Sequence, residues 1–377
     1  MKKVAILFGD RHLSYSPTVI TLYDVLSPRF DVTIVAKSPK TFDNKPLPNR
    51  KVVYIKEKKT AGIYRYPSRI RFELLSLFRK EVALLKEKNI HHSFLHEYYF
   101  IKNYLERENP DLIIAVDFKN LSFMQIINKR VEFLSLEINA DDKFREGRDF
   151  QNINSVLIQT KERYEHLFKD KELKTFFIQN APVYTPSSAN YDRSGLVYCG
   201  TAWDAFGFYH LLEFLKSFPD YLLTVKGAVL NEDRKRIETE YRDLVSSKRL
   251  VIDNDYLDDT EVVDYLRKFR IGFCFYNFDI DWVNNFNYLS APAGKMFKYF
   301  AAGVPVVGLD ILGLKPVKEF DCGVLIKDLE PESIKSAIGK IERNFDYYSQ
   351  NCLKAASHYS FDKAAKPFVD YLLNSNN

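Results

Sequence analysis

The sequence predicts an α/β protein built from two doubly wound, Rossmann-like halves that face a central cleft. Three observations predict it. Short buried runs alternate with amphipathic stretches, as a parallel sheet with helical crossovers requires. The pattern stops at Pro182–Ser194, which carries Pro, Ser, Asn and Asp without apolar periodicity, and then restarts. At 377 residues the chain is also too long for one ordinary core, and it suits two domains of about 180 residues each.

In the first half, Val4–Phe8 reads as the first strand. The opening MKKVAILFGDRHL has two lysines and an apolar run but turns polar after Gly9, so it suits a buried strand better than a signal peptide. Thr18–Leu26 follows as a helix, with strands at Val32–Ala36 and Val52–Ile55. Ser68–Lys88 has a helical apolar pattern at Ile70, Leu74, Leu77, Phe78, Val82 and Leu85, with Arg69, Arg79, Lys80 and Lys86 elsewhere around it. Asp111–Val116, Phe133–Leu136 and Ser155–Ile158 are strands. Thr160 caps a helix to Phe168, and Phe176–Ile178 leads into Asn180-Ala181-Pro182, which breaks regular structure. Beyond the linker come strands at Leu196–Cys199, Leu222–Val225, Leu250–Ile252 and Ile271–Phe275. Helices are expected at Phe208–Phe218, Asp233–Val245, Thr260–Lys268 (capped by Thr260) and Pro331–Asn344.

The segment Ala291–Gly308, APAGKMFKYFAAGVPVVG, is the richest in signals. Pro292 and Gly294 open a helix whose apolar face is Phe297, Phe300 and Ala301. Gly303 supplies the left-handed residue that ends it, and Pro305-Val306-Val307 begins a buried strand. Lys295 falls in the first turn, where unpaired N–H groups and the helix dipole already favour an anion. A lysine there points to a phosphate or diphosphate.

Composition narrows the function classes. With 46% hydrophobic and 28% charged residues, the chain is globular rather than disordered. No apolar run approaches the roughly 20 residues that span a bilayer. Cys199, Cys274, Cys322 and Cys352 form no CxxC pair, which suggests reduced thiols in the cytoplasm and no zinc site. Asp279 and Asp281 read as a solvated loop, so no metal is expected. Between Lys45 and Lys88 there are 13 Lys/Arg against four Glu, in a chain of net charge +5. That patch suits a surface helix or an anionic membrane surface at the inner face of the membrane. Nucleic acid is not expected, because no binding module appears.

Taken together, Pro292, Lys295, Phe297 and Ala301-Ala302-Gly303-Val304-Pro305-Val306-Val307 resemble the donor-binding helix of GT-B glycosyltransferases. The likeness is to the large retaining bacterial family, family 4 or group 1 type. It continues through Gly308–Leu314 and Cys322–Ile326. Asn180-Ala181-Pro182, Val197–Thr201 and Ser360-Phe361-Asp362 resemble further landmarks of that family in order. The resemblance implies residues 1–182 as an acceptor domain, completed by a crossover helix at about 360–374, and residues 195–357 as the donor domain. It implies sugar transfer from a nucleotide donor without cofactor or bound metal, the leaving diphosphate being stabilised by basic groups and helix N-termini. The paired glutamates of that family fall here on Ser290 and Lys298, neither of them acidic.

On this reading the donor candidates are Gly200, Thr201, Lys226, Asn285, Asn287, Ser290, Gly294, Lys295 and Lys298. The amides of Gly200 and Thr201 are expected to face the diphosphate. Asp10, Arg11, His12 and Ser14, in the loop after the first strand, are acceptor candidates. Asp117 and Glu137, at strand ends, are the catalytic candidates. The function expected is a retaining glycosyltransferase, hexosyl or N-acetylhexosaminyl, moving a sugar from an NDP-sugar to a glycan or lipid-linked acceptor in bacterial surface-polysaccharide assembly. The alternatives are a GT-B nucleotide-sugar-binding protein without transferase activity and a nucleotide-sugar 2-epimerase.

Overall fold

A computed structural model of the chain describes residues 1–9, 13–38, 47, 49–55, 68–88, 90–138, 150–169, 171–186, 191–255 and 257–375. They divide into two compact units, Met1–Ile178 with Ala364–Asn377, and Gln179–Lys363.

The first unit holds seven parallel strands: β1 (Lys3–Phe8), β2 (Asp31–Lys37), β3 (Val52–Ile55), β4 (Leu112–Val116), β5 (Val131–Leu134), β6 (Ile153–Ile158) and β7 (Thr175–Phe177). Their order is β3-β2-β1-β4-β5-β6-β7. Val4–Leu7 and Leu112–Val116 are buried along their whole length. Helices cover both faces of a parallel sheet, so its central strands are apolar without alternation. The last helix, Phe361–Asn374, returns to this unit from residue 364 onward. There Phe368 and Tyr371 meet the Phe176 ring at 5.3 and 5.4 Å. Lys2 Nζ donates to the carbonyl of Ser375 at 2.7 Å.

The second unit has six parallel strands: β8 (Leu196–Cys199), β9 (Leu223–Lys226), β10 (Leu250–Asp253), β11 (Ile271–Cys274), β12 (Val306–Leu309) and β13 (Gly323–Ile326), in the order β10-β9-β8-β11-β12-β13. One apolar layer packs Leu211, Leu212, Leu215, Ile334 and Ile338 on Tyr198, Val225 and Phe273. The opposite layer packs Leu266, Met296, Phe300, Ala301 and Ala355 around Val197 and Val306. In each sheet the order reverses once, between β1 and β4 and between β8 and β11. Ligands of doubly wound sheets sit outside the carboxyl ends of the strands at such reversals.

Several local expectations are corrected. The Ser68–Lys88 helix is two, Ser68–Phe78 and Lys80–Glu87, because Arg79 is extended between them. Val82 and Leu85 are buried, while Ile70, Leu74, Leu77 and Phe78 are exposed. The Asp233–Val245 helix also breaks, at the buried Tyr241, whose hydroxyl donates to Glu213 at 2.7 Å. The helix at Asp259–Leu266 is capped by Asp258 rather than Thr260. The Asp258 carboxylate accepts from Glu261 N and the Glu261 carboxylate from Asp258 N, each at 2.9 Å, a reciprocal capping box. Helices at Asp117–Ile127, Phe286–Ser290 and Phe345–Tyr359 add to those expected. Thr160 does cap its helix, accepting from Arg163 N at 3.2 Å.

Candidate functional site

The helix Gly294–Ala302 is fixed to the sheet at its middle, and its ends pack against Asn180 and Arg193 outside the strands. Tyr299 is fully buried, and its hydroxyl accepts from Cys199 N at 2.8 Å while facing the carbonyls of Val197 and Phe273. That reach is possible because Gly272 leaves room: a Cβ there would stand 2.7 Å from the Tyr299 ring. At the C-terminus Gly303 is left-handed (φ 64°), as expected, and Arg193 donates to Ala302 O and Gly303 O at 2.9 and 3.1 Å. A cation at that end also suits the helix dipole. The N-terminus has no capping side chain. Asn180 lies against Gly294, its amide filling the space a Cβ would take.

Lys295 leaves this uncapped turn and passes the bare Cα of Gly200. Its Nζ stands 4.0 Å from the centre of the Tyr198 ring and 5.4 Å from that of Phe206. The nitrogen is buried and, among the described residues, has no acceptor at hydrogen-bond geometry. Burial opposes its charge; Tyr198 and Cys274 favour that charge only through their ionised forms, and burial pushes both groups up. Burial pushes the Cys274 thiol up to about 12. A cation held among rings and neutral thiols, at an uncapped helix N-terminus, suits an anion.

Gly200 acts differently from expectation. Its N–H donates to Lys226 O at 2.9 Å within the sheet, so it does not face a ligand. Its contribution is its missing side chain and its left-handed φ of 121°. Thr201 presents its carbonyl to the Tyr198 hydroxyl at 3.0 Å. Lys226 is buried and paired with Asp253 on the neighbouring strand at 2.7 Å. Burial opposes ionisation of Asp253, yet hydrogen bonds from Lys226 and Tyr265 hold its carboxyl below the usual range. Beside this pair a groove of about 790 Å³ opens along β9 and β10, lined by Thr224, Asp253, Asn254, Asp255, Tyr265 and Lys268 among others.

The remaining donor candidates serve the fold in part. Asn285 caps the helix Phe286–Ser290, its oxygen accepting from Asn287 N and Tyr288 N and its nitrogen donating to Trp282 O. Ser290 is buried and donates to Phe286 O at 2.6 Å. Asn287 belongs to the same short helix, and Lys298 lies one turn beyond Lys295.

In the first unit, Asp10, Arg11 and His12 lie outside the described residues, and Ser14 sits in a single 3-10 turn. Asp117 is the turning point between β4 and its helix, with φ 58°, a conformation that Asp tolerates better than most residues. Its half-buried carboxylate accepts from Leu136 N at 2.8 Å and Glu137 N at 3.1 Å. Glu137 is thus drawn to Asp117 through its backbone, three residues past the end of β5 and exposed. Burial pushes the Asp117 carboxyl up to about 7, against those two N–H groups and the buried Arg163. Between about pH 4 and 7 the native protein therefore keeps a proton that the unfolded chain has released. The contribution of Asp117 to stability falls as pH rises through that window. Asp117→Asn retains an oxygen for both N–H groups, and urea titrations across pH 4 to 7 are expected to show a flatter slope. An unchanged slope would mean that the carboxyl ionises as freely as an exposed one.

Sequence reasoning missed a buried carboxylate held by two half-buried lysines close by. Glu97 pairs with Lys37, the last residue of β2, at 2.8 Å and with Lys119 at 2.7 Å. Lys119 also donates to Gly9 O at 2.7 Å. Lys37 directly follows the expected strand Val32–Ala36, but nothing local marks Glu97 as a partner of Lys37 or of Lys119.

No protein-family model matches the chain, and no curated protein sequence matches it. Solved structures do. The chain is similar to a sucrose-phosphate synthase from Thermosynechococcus elongatus, with TM-score 0.67, 14% identity, and 99% of this chain and 98% of that one covered. It is similar to the trehalose-6-phosphate synthase OtsA, with TM-score 0.64, 11% identity and 100% of both chains covered. A protein assigned as a UDP-N-acetylglucosamine 2-epimerase from Listeria monocytogenes follows at 0.57 and 14%, covering 99% and 97%. At such identities the likeness shows the fold, which is GT-B over the full chain length.

Proposed function

We propose that this protein is a glycosyltransferase of the retaining GT-B type that takes a sugar from a nucleoside-diphosphate donor. The observation that carries the reading is Lys295, a buried ammonium with no acceptor at hydrogen-bond geometry among the described residues, at the uncapped N-terminus of Gly294–Ala302. A diphosphate supplies the missing counter-charge, and the same contact stabilises the charge that develops on it as the sugar leaves. The donor thus belongs to the second unit. Asp117, Glu137 and the Glu97 triad mark the carboxyl ends of β1, β2, β4 and β5, where the acceptor would bind. The synthases among its structural neighbours support transfer, and no resident metal is needed for it.

The acceptor we propose is a glycan or a lipid-linked sugar in surface-polysaccharide assembly. No described helix is long and apolar enough to cross a membrane. The helix Ser68–Phe78, however, leaves Leu77 and Phe78 74% and 83% exposed beside Arg79 and Lys80. An apolar edge flanked by cations suits an anionic bilayer surface. Vesicles containing phosphatidylserine are expected to co-sediment the protein, and Leu77→Asp with Phe78→Asp is expected to release it. Equal sedimentation of both proteins would remove the membrane from the proposal.

Incubation with UDP-, GDP- and CMP-sugars and a panel of acceptors, read by product mass, tests the reaction. A product one sugar heavier than the acceptor supports transfer. The epimerase among the structural neighbours favours one second reading, and a donor of unchanged mass but altered stereochemistry would establish it.

A further inference from the structure

The chain contains two tryptophans, and the fold puts them together. Trp203 follows β8 and Trp282 follows β11, with ring centres 4.8 Å apart and planes tilted by 33°. Phe206 meets Trp203 edge-on at 5.7 Å and Tyr288 meets Trp282 edge-on at 5.6 Å. Ala205, Tyr276 and Val283 are buried beneath. Trp282 nevertheless stays 46% exposed. A large ring left exposed beside other aromatic rings is costly to hydrate and suits a contact surface. Its surroundings are polar: Asp279, Asp281 and Asn284 are exposed in the same loop, and Asn277 donates to Asp204 at 3.2 Å.

The patch adjoins the anion site. Phe206, which supports Trp203, is also the second ring beneath the Lys295 ammonium. We propose that Trp282, backed by Trp203, is the platform on which the sugar of the bound sugar nucleotide lies; this rests on the donor site proposed above. A sugar ring has an apolar C–H face and a hydroxyl edge, matching an indole floor with a carboxylate and carboxamide rim. A lipid chain would need a broader apolar surface than one exposed indole. A nucleobase also stacks on aromatic rings, but the polar groove beside β9 and β10 offers it a separate place, on the other side of β8 from the β11 loop that carries Trp282. The nucleoside takes the groove.

Because both tryptophans lie in the patch, selectively excited indole emission reports on it alone. The test titrates UDP, GDP and CMP, and then their sugar conjugates, following indole emission and thermal stability together. The conjugate of the nucleotide that binds is expected to change the emission, and the free nucleotide to stabilise the protein with little change. Trp282→Ala is expected to weaken the conjugate about three- to tenfold, the scale of one aromatic contact, and to leave the free nucleotide unaffected. Trp282→Phe should restore most of the loss, and both variants should melt like wild type without ligand. A free nucleotide that changes emission as fully as its conjugate would assign the patch to the base and overturn the inference. So would a Trp282→Ala variant that binds the conjugate as tightly as wild type, or that weakens both ligands equally. If no probe stabilises the protein, the sugar-nucleotide reading itself falls and takes this inference with it.

Discussion

Lys295→Met is expected to change ligand affinity and stability in opposite directions. Without its cation the donor site loses a buried, charge-assisted contact worth about 2–5 kcal/mol, and nucleotide affinity should fall roughly a hundredfold. The unliganded protein should gain stability, because wild type buries an ammonium that, among the described residues, has no acceptor at hydrogen-bond geometry. Thioether contacts with Tyr198 and Phe206 keep the packing. Calorimetric titration with the nucleotide that stabilises wild type, together with urea unfolding of the apo proteins, reads both effects. A lysine serving only the fold would give the reverse, with lost stability and unchanged affinity, and that outcome would sink the site.

The second large effect belongs to Gly227. Its φ is 148°, and a Cβ built on it would lie 2.2 Å from the carbonyl oxygen of Gly200 and 2.7 Å from its carbon. The obstacle is backbone, which cannot swing aside as a side chain would. Gly227→Ala should therefore cost more than about 3 kcal/mol in urea unfolding. Because the displaced loop follows β8 and backs the Lys295 side chain, any folded fraction should also bind nucleotide weakly. An alanine variant with wild-type stability and affinity would contradict the close approach of these two loops.

Local signals were legible and long-range ones were not. Pro292, Gly294, Gly303 and Pro305 fix the ends of the lead helix and the start of its strand through their own backbone preferences, and the structure follows them. The breaks at Arg79 and Tyr241 carry no such mark. Tyr241 is set by its burial and its bond to Glu213, 28 residues away. Thr260 has the right chemistry for a cap, but the helix starts one residue before it, and the Asp258–Glu261 box closes that end. Lys226 directly follows the expected strand Leu222–Val225, yet its partner Asp253 depends on β9 pairing with β10. Gly200 illustrates a subtler failure: a glycine at a strand end suggests a free amide, whereas the ladder had already taken it. Trp203 and Trp282 share no spacing that a sequence reveals. They meet only because β8 and β11 are neighbours.

The final helix has a consequence for how the chain is made. Residues 364–374 complete the first unit by covering Phe176 from the far end of the sequence. While it emerges from the ribosome, the first unit must therefore wait, its last apolar face open, until the whole second unit has been synthesised. Cutting the gene after residue 178 or residue 363 would leave that face bare in either product. The second unit, contiguous from 179 to 363, carries no such debt.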